Sequence, residues 1–319
     1  NELFELAKKN NVNLAFEASV AGGIPILKSI REGLAGNKIE WVAGIINGTT
    51  NFILTEMREK GITFAKALSE AQSLGYAEAD PTFDIEGIDA AHKLTILAGL
   101  SFGIPMSFKD VYVEGIKALE QKDIQYAEEL GYRIKLLGIA KKRDKGIELR
   151  VHPTLIPEKR LIANVNGAMN AVVVKGNMVG PTLYYGAGAG ALPTASAVVA
   201  DLIDISRSSQ VPPHGFDDNK IDPISIYKIE DAISGYYLRI RVSDKPGVLA
   251  EITKLFGDKK ISIDAMLQKE PQEHESEADI VILSHLAIEK DINAVIDSIE
   301  SLSATIGKVI KIRLEELSK

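Results

Sequence analysis

Cysteine is absent from this 319-residue sequence, which excludes disulfide bonds, thiolate nucleophiles and cysteine-ligated zinc or iron–sulfur sites. Apolar runs are short, and none approaches the ~20 residues that a membrane-spanning helix needs. An excess of basic residues is lacking too, because the net charge is -7, whereas nucleic-acid-binding proteins usually have a basic face. No signal-peptide pattern opens the chain. We therefore expect a cytoplasmic enzyme that binds neither nucleic acid nor membrane.

The residues that are present predict two domains joined by a polar segment. Residues 1–207 mix predicted helices and strands without a strict βαβ alternation, which indicates an α+β fold with a mixed sheet. Residues 208–234 begin SSQVPPHGFDDNKIDP, and this composition predicts a linker. Residues 235–319 follow the predicted order βαββαβ, which is typical of a ferredoxin-like domain.

Some local elements can be predicted more closely. We expect a helix over residues 2–10, a strand over 12–17 and a buried strand over 40–46. The last of these runs into NGTTN, residues 47–51, which looks like a helix entry with amide and hydroxyl caps. Two further strands are expected around a turn at residues 143–146.

Residues 74–93, LGYAEADPTFDIEGIDAAHK, combine a dense group of acids with a single lysine, Lys93. Carboxylates that are this close repel one another unless a positive group lies among them. That group could be a metal ion, Lys93 or the amine of a substrate. The acids are Glu78, Asp80, Asp84, Glu86 and Asp89.

Asp89 and Lys93 lie four residues apart on a predicted helix over 88–100. Such pairs commonly lie on solvated faces and contribute little to stability. This helix, however, is apolar nearly all round, which predicts that it is buried. We therefore expect the pair to point into the protein, where charges either serve chemistry or form a structural ion pair.

A divalent metal fits this acidic segment less well than a cationic substrate does. The spacing of a Ca²⁺ loop is missing, although Asp80, Asp84 and Glu86 supply carboxylates. A lysine in the same pocket would also compete with a dication. A substrate amine held by Glu78 or Asp84 accounts for the excess of acid, and a lysine among carboxylates stays protonated and suits a proton donor.

Four motifs in this order resemble the homoserine dehydrogenase family. They are FEASVAGGIPI at 16–26, GIINGTTNFIL at 44–54, the acidic segment, and GAGAGALPTASAV at 186–198. The resemblance covers nearly all of residues 1–207. It implies the interconversion of aspartate semialdehyde and homoserine with NADP or NAD, in the biosynthesis of threonine and methionine.

The resemblance also implies roles for individual residues. Lys93 would be the catalytic lysine that gives a proton to the aldehyde oxygen, and Asp89 would hold substrate or water beside it. Glu78 would bind the substrate amino group. The implied substrate-binding residues are Glu78, Asp84, Gly75, Tyr76 and Thr49.

A monovalent cation, Na⁺, is implied by the same resemblance. Its ligands would be the carboxylate of Glu17 and nearby carbonyl groups of Val20, Gly22 and Ile24. One carboxylate with backbone carbonyls makes a site of hard oxygen ligands. From the residues alone, we favour a different role for Glu17, in which its carboxylate caps backbone amides.

Glycines at 186 and 188 with Ala191 formally match a dinucleotide-binding fingerprint, G-x-G-x-x-A. The pattern is weak alone, and the helix after it leads into the predicted linker without a second strand. Close packing of the helix on a sheet is the alternative. The resemblance implies only that Gly190 contacts the cofactor from the far side of the cleft.

The family places a Rossmann domain before the segments matched here. Residues 1–17 would then be the last helix and strand leading out of that domain. We accordingly expect residues 1–319 to hold the substrate half of the active site and little of the cofactor half, and on their own neither to bind NAD(P)H tightly nor to turn over. The preference for NAD or NADP is not encoded in them.

The C-terminal part opens with YYLRIRVSDKPGVLAEITKLFGDKKISIDAML, residues 236–267, which resembles an ACT domain. The turn at Asp244, Pro246 and Gly247 would present amides at a helix N-terminus, where a carboxylate can bind. The resemblance implies an amino-acid effector, and threonine is expected. A plain dimerisation domain is the alternative.

Together these observations predict the catalytic and regulatory parts of a homoserine dehydrogenase, assembled as a homo-oligomer. A non-catalytic amino-acid sensor is the alternative from another class. A metal-dependent lyase that uses Asp80 and Asp84 is a third hypothesis, which predicts inhibition by chelators.

Overall fold

The computed structural model describes residues 2–207, 225–269 and 276–317. Residues 208–224 of the predicted linker lie outside the described residues, so the boundaries of that linker stay a prediction. The chain divides into two units. The first takes in 1–117, 135–152 and 164–227, and the second takes in 118–134, 153–163 and 228–319, each as far as it is described.

The helices are numbered along the chain. They are α1 Glu2–Asn10, α2 Ile26–Lys28, α3 Gly48–Lys60, α4 Phe64–Ser73, α5 Thr82–Ile85, α6 Ile88–Phe102, α7 Gln121–Glu129, α8 Ala191–Arg207, α9 Val248–Asp258 and α10 Glu289–Glu300. Each helix in the described part of the chain is too short or too polar to cross a membrane.

The strands are numbered in the same way. They are β1 Ile39–Ile45, β2 Tyr112–Val113, β3 Tyr132–Arg143, β4 Gly146–Pro157, β5 Met169–Gly176, β6 Gly180–Ala187, β7 Ile233–Ser243, β8 Ile263–Gln268, β9 Glu277–Ile288 and β10 Ile310–Leu314.

In the first unit the strands follow the order β6-β5-β1-β3-β4, and β2 pairs with β4. The neighbours of β1 are antiparallel to it, whereas β2 runs parallel to β4. This sheet is mixed, and the predicted α+β class is confirmed. The central strand β1 is almost wholly buried and leads directly to Asn47, the N-cap of α3.

Helix α6 lies in the interior of the first unit, as its all-round apolar sequence predicts. Ala91, Leu94 and Leu97 are fully buried. The helix begins after Gly87 and ends before Gly103, which both have the left-handed backbone conformation that glycine adopts without strain. These ends fix the turn of helix that carries Asp89 and Lys93.

From residue 228 onward the second unit has the element order β7, α9, β8, β9, α10 and β10, so the predicted βαββαβ domain is confirmed. Its strands are ordered β10-β7-β9-β8 and are antiparallel. Leu238 and Ile240 of β7 pack with Ile252 and Phe256 of α9 and with Ile292 of α10 in one apolar core.

The predicted strand over residues 12–17 is wrong. Among the described residues this segment pairs with no strand, and Glu17 begins a short 3-10 turn, Glu17–Ser19. The chain leaves α1 through Asn11, which has a positive φ of 56°, and the amide of Val12 donates to the carbonyl of Ala7. The alternating apolar residues of segment 12–17 have no neighbouring strand to pair with among the described residues, so this segment does not form a strand.

Candidate active site

Asn47 links the acidic residues of the predicted site. Its Oδ1 accepts a hydrogen bond from the amide of Thr50 at 2.8 Å, which makes it the N-cap of α3. Its Nδ2 donates to Asp84 Oδ1 at 2.7 Å and to Asp89 Oδ2 at 2.8 Å. One amide thus joins two carboxylates that come from α5 and α6.

Lys93 pairs with Asp89, as the spacing predicts. Its Nζ donates to Asp89 Oδ2 at 2.7 Å and to the carbonyl oxygen of Ile46 at 3.2 Å. The side chains of Lys93 and Asp89 are 24% and 20% exposed, so the pair is half-buried and open to solvent on one side. Among the described residues these are the only acceptors of its ammonium group, which leaves one N–H for a ligand.

The pKa of Asp84 is raised above its ordinary value, chiefly because burial disfavours the charged form. The carboxylate of Asp89 raises this pKa further. Hydrogen bonds from Asn47 and Thr49 and the charge of Lys93 act in the opposite direction. Asp84 is therefore a carboxyl group whose charge depends on its immediate partners.

The predicted pocket residues lie around this cluster. Thr49 Oγ1 donates to the carbonyl of Tyr76 at 2.6 Å, and the Tyr76 ring packs on Phe52 with centroids 4.9 Å apart. Gly75 has a φ of 75°, which lets the chain turn just before Tyr76. Glu78 is exposed, and its carboxylate makes no hydrogen bond or ion pair with any described residue. Gly75, Tyr76 and Thr49 thus lie together, whereas the Glu78 carboxylate extends into solvent.

A divalent metal site lacks its ligands in this region. Asp80 Oδ1 accepts a hydrogen bond from the amide of Thr82 at 3.1 Å, in a local turn. Asp84 is bound to Asn47 instead. Nowhere in residues 2–207, 225–269 or 276–317 do three histidine or acidic side chains come together as a metal site would require.

Glu17 caps the first turn of α2. Its buried carboxylate accepts hydrogen bonds from the amides of Leu27 and Lys28, both at 2.9 Å. Burial raises the pKa of Glu17, and these two hydrogen bonds lower it. The capping role favoured from the residues alone is therefore present, and the implied role as a cation ligand stays a prediction.

The loop after Glu17 still offers oxygen atoms. Within the described residues, the carbonyls of Val20 and Gly22 accept no hydrogen bond, whereas that of Ile24 accepts one from Ile26 at 2.7 Å. Each carboxylate oxygen of Glu17 keeps a second lone pair. The donor set of one carboxylate and backbone carbonyls is chemically suited to a monovalent cation.

The glycine-rich turn before α8 serves close packing. A side chain on Gly22 would meet the carbonyl oxygen of Gly188 at 2.8 Å, and one on Gly188 would overlap the amide of Asn170 at 2.1 Å. Strand β6 is antiparallel to β5, so it does not belong to a parallel βαβ unit. Gly190 is exposed with a φ of 118°, directly before α8.

In the second unit, the predicted effector turn lies at the N-terminus of α9. Asp244, Pro246 and Gly247 are exposed, and Gly247 is the N-cap with a φ of 94°. The amide of Asp244 donates to the carbonyl of Ser276 at 2.9 Å. Among the described residues the amide of Gly247 has no acceptor, so it is open to a ligand.

The sequence predicts that Asn47 is a helix cap, but it does not predict the contact of Asn47 with the two carboxylates. The cap could be predicted from NGTTN because an N-cap is a local feature. Asp84 and Asp89 lie 37 and 42 residues further along the chain, so no local pattern reveals them.

Comparison with known proteins gives a consistent result. The family model "Homoserine dehydrogenase" matches residues 25–203, and the model "ACT domain" matches residues 236–304. The homoserine dehydrogenase of Neisseria gonorrhoeae is 57% identical over 99% of this chain and 74% of the relative. That of Pseudomonas aeruginosa is 55% identical over 100% of this chain and 75% of the relative.

Two solved structures extend the comparison. The homoserine dehydrogenase from Thiobacillus denitrificans has 60% identity and a TM-score of 0.93, over 99% of this chain and 73% of its own. A hyperthermophilic archaeal homoserine dehydrogenase mutant in complex with NADPH has 34% identity and a TM-score of 0.55, over 64% of this chain and 59% of its own.

Proposed function

This chain belongs to the homoserine dehydrogenase family, and we propose that Lys93, Asp89 and Asp84 form the substrate half of its active site. The chain is an oxidoreductase of the type that acts on a CH–OH group, and it carries an ACT domain. The reaction is the interconversion of L-homoserine and L-aspartate 4-semialdehyde. The alternative of a non-catalytic amino-acid sensor is not favoured.

The half-buried ion pair of Lys93 and Asp89 is the observation that carries this proposal. Two acceptors hold Lys93 Nζ in place, at 2.7 Å and 3.2 Å, and one N–H is left to face the substrate oxygen. A fixed ammonium group there donates a proton to the aldehyde oxygen during reduction, and in the oxidation direction the neutral amine of Lys93 accepts the proton of the alcohol. Asp89 keeps the lysine oriented through both directions.

The amino group of the substrate is bound by the carboxylates of Asp84 and Glu78. Asp84 faces the cluster from α5, and Glu78 projects its free carboxylate from the preceding segment. A substrate ammonium between them is attracted by two carboxylates. Thr49, Gly75 and Tyr76 complete the pocket through a hydroxyl group and backbone atoms.

A nicotinamide cofactor, when bound, accepts or supplies the hydride. Homoserine dehydrogenases use NAD(P), and the archaeal relative above was solved with NADPH. In this chain Gly190 would contact it, because an exposed glycine without a side chain lets a flat ring approach the backbone. Either NADP or NAD fits this single contact.

A sodium ion held by Glu17, Val20, Gly22 and Ile24 belongs to the same proposal. We expect added NaCl to raise the melting temperature of the protein more than choline chloride of equal ionic strength does. The Glu17→Gln variant should lose this difference. An equal effect of the two salts on the wild-type protein would contradict the site.

The ACT domain binds an amino-acid effector, with threonine as the expected ligand, and the protein acts in threonine and methionine biosynthesis as a homo-oligomer. The open amide of Gly247, at the N-terminus of α9, is a hydrogen-bond donor that could bind the effector carboxylate. A cytoplasmic location is part of the same proposal.

The test is oxidation of homoserine by the full-length protein with NAD⁺ or NADP⁺, followed through formation of the reduced nicotinamide. 4-Hydroxybutanoate, which lacks the amino group, is the matched control substrate. We expect its kcat/KM to be lower by about 10–100-fold, the value of a charged hydrogen bond. Absence of homoserine oxidation with both nucleotides would overturn the proposal.

A further inference from the structure

Asn47 bridges two carboxylates of the candidate site, those of Asp84 and Asp89. We propose that Asn47 is a positioning residue: its side-chain amide holds Asp84 and Asp89 together as two carboxylates and thereby keeps Asp89 on Lys93. This inference rests on the proposed function above. It assigns Asn47 a role in the reaction beyond capping a helix.

The orientation of the Asn47 amide is fixed by the start of α3. Its Oδ1 accepts from both the amide and the hydroxyl group of Thr50, at 2.8 Å and 2.9 Å. Since the oxygen is bound to the helix, the NH₂ group must point toward the acids. Both of its hydrogens are then used, one on Asp84 and one on Asp89. The side chain is 4% exposed, so water cannot readily replace it.

Two carboxylates on one nitrogen atom repel each other, and the groups around them decide whether both stay charged. Asp84 faces Asp89 and Lys93, with the hydroxyl group of Thr49 beside it. Asp89 is paired with Lys93 at 2.7 Å. Lys93 is therefore the one cation in the cluster, and it is bound to Asp89. The hydrogen-bond donors to Asp84, from Asn47 at 2.7 Å and from Thr49, are neutral.

Loss of the Asn47 donor would let Asp84 take up a proton at higher pH. Burial and the charge of Asp89 already raise the pKa of Asp84, and the hydrogen bond from Asn47 counteracts them. A protonated Asp84 binds a substrate ammonium poorly. Asp89, freed from the amide, would also hold Lys93 less firmly. The decrease of kcat/KM for homoserine at low pH, the acidic limb of the pH profile, would therefore begin at a higher pH.

The experiment measures kcat/KM for homoserine against pH in the full-length protein and in three variants. Asn47→Ser keeps a favourable N-cap, but its shorter side chain cannot reach the acids. Asn47→Asp keeps the cap and the shape, and replaces the donor with a third carboxylate. Asn51→Ser is the matched control, because Asn51 is equally buried in α3 and its Nδ2 donates to backbone carbonyls of the 165–169 segment.

We expect the acidic limb to move up by about one pH unit in Asn47→Ser, the value of one hydrogen bond to a charged group. In Asn47→Asp it should move further. Asn51→Ser should lose stability and keep the wild-type limb. An unmoved limb in a folded Asn47→Ser, or an equal movement in Asn51→Ser, would overturn the inference. If Asn47→Ser does not fold, the isosteric Asn47→Asp decides in the same way.

A second measurement does not depend on turnover. Carbon-13 NMR of labelled aspartate side chains gives the pKa of Asp84, with Asp84→Asn for assignment. We expect a higher pKa in Asn47→Ser than in the wild-type protein. Failure of the wild-type protein to oxidise homoserine would refute the proposed function alone. An equal pKa of Asp84 in both proteins would refute the role of Asn47 alone.

Discussion

The charged residues of the candidate site are of two kinds: some are held by hydrogen bonds, and one is exposed and makes none among the described residues. Lys93, Asp89 and Asp84 are held by hydrogen bonds of 2.7–2.8 Å within the cluster. Glu78 is exposed and makes no such bond among the described residues. Held groups suit the reacting atoms, where position matters most, and a free carboxylate suits capture of a substrate ammonium.

The role of Glu78 can be tested by Glu78→Gln. If its carboxylate binds the substrate ammonium, KM for homoserine should rise by about 10–100-fold while kcat changes little, because this contact is present before and during the reaction. Asp80→Asn is the matched control, since within the described residues the exposed Asp80 hydrogen-bonds only to Thr82. Steady-state kinetics give both constants. A KM for Glu78→Gln equal to that of the control would rule out this role.

At this scale the sequence predicts contacts that are local in the chain. The Asp89–Lys93 pair follows from a spacing of four residues on a helix, and the N-cap at Asn47 follows from residue type. The bridge from Asn47 to Asp84 and Asp89 depends on how α3, α5 and α6 pack, which spacing does not encode. The hydrogen bonds that hold the site residues in place could therefore not be predicted, although most of the site residues themselves could.

At the scale of elements, α7 illustrates how a helix is attached to a sheet by charge. Asp123, in the first turn of α7, accepts a hydrogen bond from the amide of Glu120 at 3.0 Å. The same carboxylate accepts from Arg239 Nε at 2.6 Å and from the hydroxyl group of Tyr237 at 3.1 Å. Both partners lie on β7 and are buried. One residue thus caps the helix and joins it to the strand within the second unit.

Asp123→Asn should destabilise the second unit by about 3 kcal/mol, because it leaves the buried guanidinium group of Arg239 with only the exposed carboxylate of Glu120, 3.1 Å away, as a counter-charge among the described residues. Glu129→Gln is the control, since Glu129 pairs with Lys269 on the surface, where such pairs contribute about 0–1 kcal/mol. Thermal unfolding of each variant measures the difference. Equal melting temperatures would show that the buried pair contributes little.

The sequence predicts the βαββαβ order of this unit because each element carries its own periodicity. It does not predict that α7 belongs with β7. Asp123 and Arg239 are 116 residues apart, and the pairing of two such distant charges leaves no local pattern.

At the scale of the whole molecule, the chain combines a catalytic unit with an ACT domain. An amino-acid effector offers an α-carboxylate, and the open amide of Gly247 at the start of α9 is a matching donor. We propose that the ACT domain binds an amino-acid effector through this amide.

We expect threonine to bind the full-length protein at millimolar concentration or below, as measured by isothermal titration calorimetry. Gly247→Ala should weaken the affinity roughly tenfold, because a side chain at its φ of 94° is strained. Gly257→Ala is the control, since Gly257 lies in the same helix with open space around it. No heat at millimolar threonine would contradict the assignment of this effector.

The role of Lys93 as proton donor is tested most directly by the Lys93→Ala substitution in the full-length protein, with kcat/KM for homoserine as the measurement. Lys60→Ala is the control, because Lys60 is an exposed lysine paired with Glu56 and Glu70. We expect Lys93→Ala to lose about 10²–10⁴-fold in kcat/KM, the usual contribution of a proton donor, with wild-type thermal unfolding. Turnover within a few-fold of the wild-type protein would contradict the assignment of Lys93 and, with it, the site.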